Sequence, residues 1–429
     1  MIVAGDWSGR RYAVLGLARS GLATANALVA GGARVTAWDS DPARREGVSG
    51  VTLADPLAID LTGFDGILVS PGVPLNSHPI AEKARAAGVP VLGDIELFAQ
   101  ARADLPSHRV VGITGTNGKS TTTALIHHIL DTAGVPSLMG GNIGLPILEQ
   151  QPLPAGGVYV LELSSYQIDL TTTLDCDVAV LLNLTPDHLD RYESFDAYAA
   201  SKARLFAMQS AGHAAVVGIG DTPSALIARQ VAQAGRSIDL TKIAPGVCMD
   251  QSRWPALQGP HNAQNALAAI AACEALGVNN ADIDAGLASF AGLPHRMQRV
   301  GEVNGVAFID DSKATNPESV APALAAFARV HWILGGKPKG DDLDACRPGF
   351  GHVVRAYTIG EAGPRFAELL APELPVEEAG TLDAAVRAAA ARAKPGEVVL
   401  LSPACASFDQ FRDYAERGRA FARAVEDLR

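Results

Sequence analysis

Residues 110–121 constrain the fold of this chain more than any other stretch. An apolar, β-branched run leads there into a glycine-rich turn and the start of a helical pattern: Gly115, Thr116, Asn117, Gly118, Lys119, Ser120 and Thr121. A strand, a glycine-rich loop and a helix in this order point backbone N–H groups and the helix N-terminus at a phosphate. In such a loop Lys119 would reach the β- and γ-phosphates of a nucleotide, and the Ser120 hydroxyl would suit Mg²⁺.

The loop is a short form of the pattern, G-x-x-G-K-S, because Ile113 stands where the full form has its first glycine. We expect its helix to run from Ser120 to about Ala133 and to end at Gly134. An ordinary glycine-rich turn between a strand and a helix is the alternative. The phosphate loop is favoured because the lysine and the serine open the helix immediately after the strand and turn.

The chain is acidic, with 35 lysines and arginines against 46 aspartates and glutamates and a net charge of −11. This balance argues against nucleic acid or an anionic membrane as the main partner. The five cysteines form no C-x-x-C pair, which is typical of reduced thiols in a cytoplasm. We see no signal peptide or membrane-spanning run, so we expect a cytoplasmic protein of several domains.

The N-terminal part has the pattern of a nucleotide-binding βαβ unit. An apolar strand meets the turn Gly16-Leu17-Ala18-Arg19, and after a helix a second strand, residues 34–38, ends at Asp39. Ala18 replaces the glycine that lets the backbone approach a dinucleotide pyrophosphate, so a different nucleotide-diphosphate pocket is favoured over NAD. The turn Ser70-Pro71-Gly72-Val73 follows a third strand and would join the same crevice. A structural βαβ unit without a ligand is the alternative.

Polar residues follow the apolar strands of the central part. Glu162 ends one strand, and His188 lies in the polar run after another. Open α/β sheets bind ligands beyond the carboxyl ends of their strands, so Glu162 is a candidate Mg²⁺ ligand and His188 a candidate functional residue. A buried structural glutamate is the alternative for Glu162. Lys202 falls on the apolar face of the helix after Ser194, where a lysine ordinarily extends to solvent.

Two further features lie beyond the central strands. Asn262 and Asn265 stand three residues apart at the start of an alanine-rich helix, which suits either recognition of a nucleobase or ribose or simple helix capping. The C-terminal part again alternates strands with helices, and polar runs follow strands 306–310, 330–334 and 398–401. The pattern as a whole predicts an α/β protein.

Five runs together resemble the Mur ligases, and more particularly those that add D-glutamate: TGTNGKST, ELSSYQ, TPDHLDRY, DDSKATNP and SPACASFDQF. The first run is shared with folylpolyglutamate synthases, whereas the other four are more specific. The resemblance covers nearly the whole chain. It implies three α/β domains: a Rossmann-like UDP-sugar domain at 1–98, a central P-loop ATPase domain with a parallel sheet at 99–296 and a Rossmann-like amino-acid domain at 297–429.

The resemblance implies an ATP-dependent ligase that forms an amide through an acyl phosphate. Its substrates would be UDP-N-acetylmuramoyl-L-alanine and D-glutamate, in a cytoplasmic step of peptidoglycan synthesis. It also implies two Mg²⁺ ions and a carbamylated Lys202. Such an enzyme would act as a monomer, without nucleic acid and without inserting into a membrane.

The resemblance further implies roles for individual residues. Those for ATP are Gly115, Thr116, Asn117, Gly118, Lys119, Ser120, Thr121, Asn262, Asn265, Arg296 and Asp311. Those for the UDP-sugar are Gly16, Leu17, Ala18, Arg19, Asp39, Ser70, Pro71, Gly72, Val73, Asn142, Ser164 and Gln167. Those for glutamate are Thr315, Lys339, Ser407, Phe408 and Tyr414. Those for Mg²⁺ are Ser120 and Glu162 at the first ion, with His188 and carbamylated Lys202 at the second. Those expected to be catalytic are Lys119, His188 and Lys202.

Three alternatives remain at this point. The chain could be another amino-acid ligase of the same kind, adding L-glutamate or resembling a folylpolyglutamate synthase. It could be a nucleotide-binding oxidoreductase built on the N-terminal βαβ unit, or an ATP-dependent switch without ligase chemistry. The residues name no obvious base for the attacking amine, and His188 is a candidate only if it does not bind metal.

Overall fold

The chain divides into two compact units, Met1–Pro245 with Gln264–Gly286 and Gly246–Ala263 with Leu287–Arg429. The computed structural model describes residues 1–187, 191–244, 250–338, 340 and 342–428. These residues form three sheets, two in the first unit and one in the second. Each unit is described by itself below.

The first sheet consists of short parallel strands in the order β3-β2-β1-β4-β5. Its strands are β1 Arg11–Leu15, β2 Arg34–Trp38, β3 Thr52–Leu53, β4 Gly66–Val69 and β5 Val91–Leu92. Its helices are α1 Arg19–Ala30, α2 Pro42–Arg45, α3 Pro79–Ala87 and α4 Asp94–Ala101. The strand order reverses between β1 and β4, so the turns that follow these two strands lie side by side.

The second sheet is also parallel, in the order β11-β10-β9-β6-β8-β7. Its strands are β6 His108–Thr114, β7 Ser137–Gly141, β8 Gly157–Glu162, β9 Val178–Leu181, β10 Ala214–Gly218 and β11 Asp239–Ile243. The helices along this stretch are α5 Lys119–Thr132, α6 Ser165–Asp169, α7 Phe195–Ala207, α8 Thr222–Gln233, α9 Pro260–Ala275 and α10 Asn280–Ser289. Every residue of β8 and β9 is buried, because helices cover both faces of a parallel sheet.

The third sheet, in the second unit, has the order β12-β13-β17-β14-β15-β16. Its strands are β12 Gln298–Val303, β13 Val306–Asp310, β14 Val330–Gly335, β15 Val353–Ile359, β16 Val376–Gly380 and β17 Val398–Leu401. Its helices are α11 Pro317–Ala325, α12 Gly363–Leu370, α13 Leu382–Arg392 and α14 Tyr414–Glu426. Only the hairpin of β12 with β13 is antiparallel within this sheet, and it turns at Asn304 and Gly305, which both have positive φ.

Short 3₁₀ helices complete the described elements: Gly5–Trp7, Arg102–Asp104, Ile147–Glu149 and Asp344–His352. The predicted α/β class is confirmed, with three sheets that are wholly or largely parallel. The helix predicted after the phosphate loop is confirmed within one residue at each end, as α5. Among the described residues, no helix combines the length and the apolar character needed to cross a membrane.

Candidate active site

The phosphate loop lies between β6 and α5, at the carboxyl edge of the second sheet. Gly115 has a φ of 148° and Gly118 a φ of 88°, both in the region that side chains rarely adopt. A Cβ on Gly118 would lie 2.3 Å from Oδ1 of Asn265, so this glycine allows the α9 asparagine to approach the loop. The structure therefore brings Asn265 to the phosphate loop, and its role in binding ATP stays a prediction.

The segment after β9 braces the phosphate loop. The amide of Thr116 donates to the carbonyl of Asn183 (2.9 Å), and the amide of Asn117 donates to its Oδ1 (2.9 Å). Asn183 Nδ2 donates back to the carbonyl of Asn117 (3.0 Å), and the amide of Thr185 donates to Oγ1 of Thr116 (3.0 Å). The sequence analysis missed these roles. The feature of the sequence that could have indicated them is Asn183, an asparagine at the end of an apolar strand.

Two lysines converge on one carbonyl of the loop. Lys119 Nζ donates to the carbonyls of Gly115 (2.9 Å) and Thr116 (2.8 Å), and Lys202 Nζ donates to Gly115 (3.0 Å). Lys202 is only 2% exposed, so the alternative that its amine extends to solvent is wrong. Burial, followed by the positive charge of Lys119, holds the pKa of Lys202 well below its ordinary value. The site thus favours a neutral amine at Lys202.

Glu162 ends β8, directly beside β6, where it pairs with Ile113 in the sheet register. Its side chain is buried, and Oε1 accepts a hydrogen bond from Nδ2 of Asn142 (3.1 Å). Its Oε2 is also buried and has no hydrogen-bond partner among the described residues. A buried carboxylate oxygen without a partner is costly unless a cation or donor arrives, so Glu162 fits a Mg²⁺ site.

The structure describes only some of the remaining predicted metal ligands. Ser120 is buried in the first turn of α5, directly after the phosphate loop. His188 lies outside the described residues. Over the described ranges there is no group of three or more His, Cys, Asp or Glu side chains gathered for a metal. Mg²⁺ does not require one, because it ordinarily combines one or two carboxylates with phosphate oxygens and water.

A cavity of about 790 Å³ opens at the turns that follow β1, β2 and β4. The predicted UDP-sugar residues that line it are Gly16, Ala18, Arg19, Asp39, Ser70, Pro71, Gly72, Val73, Asn142 and Gln167. Leu17 and Ser164 are not among the lining residues. The cavity has the size of a site for an extended small molecule, and residues from both sheets of the first unit share it.

The turn after β1 is held by Asp39. Its Oδ2 accepts from the amide of Leu17 (2.7 Å), and its Oδ1 accepts from the amide of Asp41 (2.9 Å). Burial would raise the pKa of Asp39, but these hydrogen bonds and the nearby Arg44 outweigh it and hold the pKa below its ordinary value. Asp39 therefore stays ionised and shapes the turn, and Leu17 contributes through its backbone.

Gln167 and Ser164 form a capping box at the start of α6. Oε1 of Gln167 accepts from the amide (3.1 Å) and the hydroxyl (3.0 Å) of Ser164, and the amide of Gln167 donates to that hydroxyl (3.2 Å). The Gln167 side chain also hydrogen-bonds to Asp94, a cavity residue that the sequence analysis missed. Burial raises the pKa of Asp94 to about 6. Gln167 is thus oriented from two sides at the cavity wall.

In the second unit, Asp311 follows β13 and is buried. Its Oδ2 accepts from the hydroxyl of Ser402 (2.8 Å) and its Oδ1 from the amide of Met297 (3.2 Å). Burial raises the pKa of Asp311 to about 7, against the opposing effects of these hydrogen bonds and of Arg296. The neighbouring Asp310 accepts a hydrogen bond from His295 (2.6 Å), a pair that the sequence analysis did not single out.

The predicted glutamate residues lie on segments around the same sheet. Ser407 is buried, whereas Phe408 is 70% exposed. Tyr414 begins α14, with Nζ of Lys313 5.1 Å from the centre of its ring. Lys339 lies outside the described residues. The structure also describes Thr315, which is predicted to bind glutamate. Asn262, which is predicted to bind ATP, belongs to the same unit, and its Nδ2 donates to the carbonyl of Gln258 (3.0 Å).

Comparisons with known proteins bear on this arrangement. The Mur ligase middle domain matches residues 113–273, and the Mur ligase, glutamate ligase domain matches residues 295–405. The UDP-N-acetylmuramoylalanine–D-glutamate ligase of Novosphingobium aromaticivorans is 64% identical, over 100% of this chain and 97% of that protein. The chain belongs to the Mur ligase family. Its class is therefore that of an ATP-dependent amide ligase, which favours this activity over an oxidoreductase.

Two other members of the Mur ligase family extend the comparison. The UDP-N-acetylmuramoylalanine–D-glutamate ligase of Sphingopyxis alaskensis is 60% identical, over 100% of both chains. The crystal structure of the UDP-N-acetylmuramate-alanine ligase MurC from Thermotoga maritima matches with a TM-score of 0.59 and 16% identity. That match covers 98% of this chain and 100% of MurC, and at this identity it concerns the fold alone.

Proposed function

We propose that this chain joins D-glutamate to UDP-N-acetylmuramoyl-L-alanine at the expense of ATP, as a step of peptidoglycan synthesis in the cytoplasm. The observation that carries the proposal is the 64% identity, over the whole chain, to a relative named for this reaction. The phosphate loop with its two lysines and the adjoining cavity support the proposal as candidate places for ATP and for the UDP-sugar.

The reaction follows from the weakness of a carboxylate as an electrophile. A carboxylate oxygen of the alanyl group attacks the γ-phosphorus, the bond to ADP breaks, and an acyl phosphate forms. The glutamate nitrogen then attacks the acyl carbon, phosphate leaves, and the nitrogen loses a proton. Lys119 opposes the negative charge that is carried through the phosphoryl transfer. No described residue is assigned as the base for the nitrogen.

Magnesium fits the residues at the carboxyl edge of the second sheet. When bound there, it would neutralise charge on the transferring phosphoryl group. Ser120 and Glu162 would hold the first of two ions, consistent with the unpartnered Oε2 of Glu162. His188 and carbamylated Lys202 would hold the second. The chain's own contribution is to fix Glu162, through the hydrogen bond from Asn142.

Lys202 is proposed to act as a carbamate. Its neutral amine attacks CO₂, an N–C bond forms, and one proton is released, which leaves an anionic oxygen pair at the end of the side chain. Burial and the charge of Lys119 supply the condition for this step, because they favour the neutral amine. Oxygen anions suit Mg²⁺, whereas a buried ammonium there would repel it.

The other assignments are proposed for each ligand in turn. Gly16, Leu17, Ala18, Arg19, Asp39, Ser70–Val73, Asn142, Ser164 and Gln167 would bind the UDP-sugar, Leu17 and Ser164 by supporting the cavity wall. Gly115–Thr121, Asn262, Asn265, Arg296 and Asp311 would bind ATP. Thr315, Lys339, Ser407, Phe408 and Tyr414 would bind glutamate. The three-domain division at residues 98 and 296, with Rossmann-like outer domains, and a monomeric state belong to the same proposal.

The test is phosphate release from ATP with UDP-N-acetylmuramoyl-L-alanine and one amino acid at a time. D-glutamate should give rapid release, and L-glutamate, meso-diaminopimelate, L-lysine and D-alanine should give little. A site that pairs both carboxylates of glutamate rejects an analogue lacking one, because buried polar groups would stay unpaired. Equal rates with D-alanine, or no dependence on the UDP-sugar, would contradict the proposal.

A further inference from the structure

Arg191 joins the central sheet region to the wall of the UDP-sugar cavity. Its Nη1 donates to the carbonyl of Gly72 (3.3 Å), and its Nη2 donates to the carbonyls of Pro71 (3.2 Å) and Val73 (3.0 Å). All three acceptors belong to the turn that follows β4 and lines the cavity. One planar guanidinium thus holds three successive carbonyls of a binding loop from more than a hundred residues away.

The same guanidinium begins a row of aromatic contacts. It lies 4.4 Å from the centre of the Tyr166 ring, which stacks on Tyr192 with centres 6.0 Å apart. Tyr192 meets Tyr198 edge to face at 5.5 Å, and the Tyr198 hydroxyl is 3.1 Å from Oγ1 of Thr116. The row therefore runs without a break from the cavity wall to the phosphate loop. We call Arg191, Tyr166, Tyr192 and Tyr198 the tyrosine bridge.

The bridge is fixed in place along its length. The hydroxyl of Tyr192 donates to Oδ2 of Asp169 (2.7 Å) and lies 3.3 Å from Oγ of Ser201, which ties it to α6 and α7. Tyr198 is 1% exposed, and burial raises its pKa to about 12, so its hydroxyl stays protonated. Thr116, at the end of the bridge, is also held by the segment after β9. Ordering the phosphate loop is therefore expected to restrain the cavity wall.

We propose that the tyrosine bridge couples the two binding places, so that nucleotide at the phosphate loop tightens binding of the UDP-sugar in the cavity. Arg191 acts here as a positioning residue. The inference rests on the proposed function, because it takes the cavity ligand to be the UDP-sugar substrate. Coupling between two sites is reciprocal, so the UDP-sugar must tighten nucleotide binding by the same factor.

The test is calorimetric titration of UDP-N-acetylmuramoyl-L-alanine into the full chain, with and without Mg²⁺ and the non-hydrolysable ATP analogue AMP-PNP. The wild-type Kd should fall on the order of 10-fold when AMP-PNP is present. We define the factor as the Kd without AMP-PNP divided by the Kd with AMP-PNP. In Arg191→Ala the Kd without nucleotide should rise several-fold, and the factor should approach one. In Tyr166→Leu the factor should also approach one, while the Kd without nucleotide stays close to that of the wild type.

Two controls sharpen the result. Arg236→Ala removes an arginine of the same unit that also donates to two carbonyls, those of Ala207 (2.7 Å) and Gln209 (2.9 Å), and it should keep the wild-type factor. Arg191→Lys keeps the positive charge but has a single donor group, so it should give an intermediate factor. If Arg191→Ala does not fold, Arg191→Lys takes its place in the test. A wild-type factor of one, or an unchanged factor in the Arg191 and Tyr166 variants, would overturn the coupling alone. Absence of wild-type binding to the UDP-sugar would overturn the proposed function as well.

Discussion

At the scale of single residues, Lys119 is the cation that the phosphate loop itself supplies. Its ammonium lies on the carbonyls of Gly115 and Thr116, where a γ-phosphate would compete for it. Lys119→Ala should lower the rate of phosphate release by at least ~100-fold, because transition-state charge loses a preorganised partner. The exposed Lys242 on β11 offers a control, and Lys242→Ala should leave the rate unchanged. Near-normal turnover in Lys119→Ala would contradict the phosphate-loop assignment.

Lys202 carries a different prediction, because it is buried beside a second lysine. Two unit positive charges ~4 Å apart repel each other by about 4 kcal/mol at an effective dielectric of 20. A neutral or carbamylated Lys202 side chain is therefore favoured over an ammonium. Lys202→Ala should lose most activity, and added acetate should restore part of it by replacing the carbamate oxygens. Phosphate release with and without acetate measures both effects. Full activity without acetate, or a loss that acetate leaves untouched, would contradict the carbamate.

At the scale of elements, Arg417 ties α14 to the loops that follow three strands of the third sheet. Its guanidinium donates to Ser312 (Oγ 2.9 Å, carbonyl 2.8 Å), after β13, and to the carbonyl of Gly335 (3.5 Å), which ends β14. It also donates to the carbonyls of Cys405 (3.0 Å) and Ala406 (3.3 Å), after β17. Burial lowers the pKa of Arg417 to about 10, so the side chain still carries its charge at neutral pH.

Replacing this arginine should weaken the C-terminal unit. Arg417→Met removes five hydrogen bonds inside the unit, and we expect the free energy of unfolding to fall by at least about 3 kcal/mol. Urea titration followed by circular dichroism measures the change. Arg365→Ala is the matched control, because that arginine pairs with Glu368 on an exposed helix surface and should have little effect. An unchanged urea midpoint in Arg417→Met would show that these hydrogen bonds do not support the fold.

At the scale of the whole molecule, the dependence of stability on pH is a sum over ionisable groups, and Glu397 makes a distinct contribution. It accepts hydrogen bonds from Arg329 (2.6 Å), from His331 (3.0 Å) and from the amide of Lys394 (3.0 Å). Burial would raise the pKa of Glu397, but these hydrogen bonds outweigh it and lower the pKa from 4.5 to about 2. The folded state therefore binds a proton here less readily than the unfolded chain does.

The sign of the effect follows from that depression. The stabilisation by Glu397 is complete above the unfolded pKa of about 4.5 and is lost as the pH falls from there through about 2. Glu397→Gln should lower stability at pH 7 and should flatten the decline of the urea midpoint between pH 5 and pH 3. Glu378→Gln, at an exposed position of β16, should follow the wild type. A Glu397→Gln decline as steep as that of the wild type would contradict the assignment.

The sequence by itself determined the α/β class and the phosphate loop. Both depend on local pattern: apolar strands alternate with amphipathic helices, and glycines stand where the backbone needs positive φ. It also placed Glu162 at the ligand-binding edge of the central sheet, because parallel strands bring their carboxyl ends to one edge. Helix limits followed from the same local signals, since glycine, lysine and serine mark the start of α5 within one residue.

The tertiary structure alone decided which distant side chains complete each site. Arg191 reaches the turn at Pro71–Val73, Asp94 orients Gln167, and Arg417 gathers three loops. None of these contacts repeats with a helix or strand period, and each joins residues far apart in the chain, so no local pattern predicts them. The burial of Lys202 was decided in the same way: the helix period placed it on the apolar face, but only packing against Thr114 and Gly115 kept its amine from solvent.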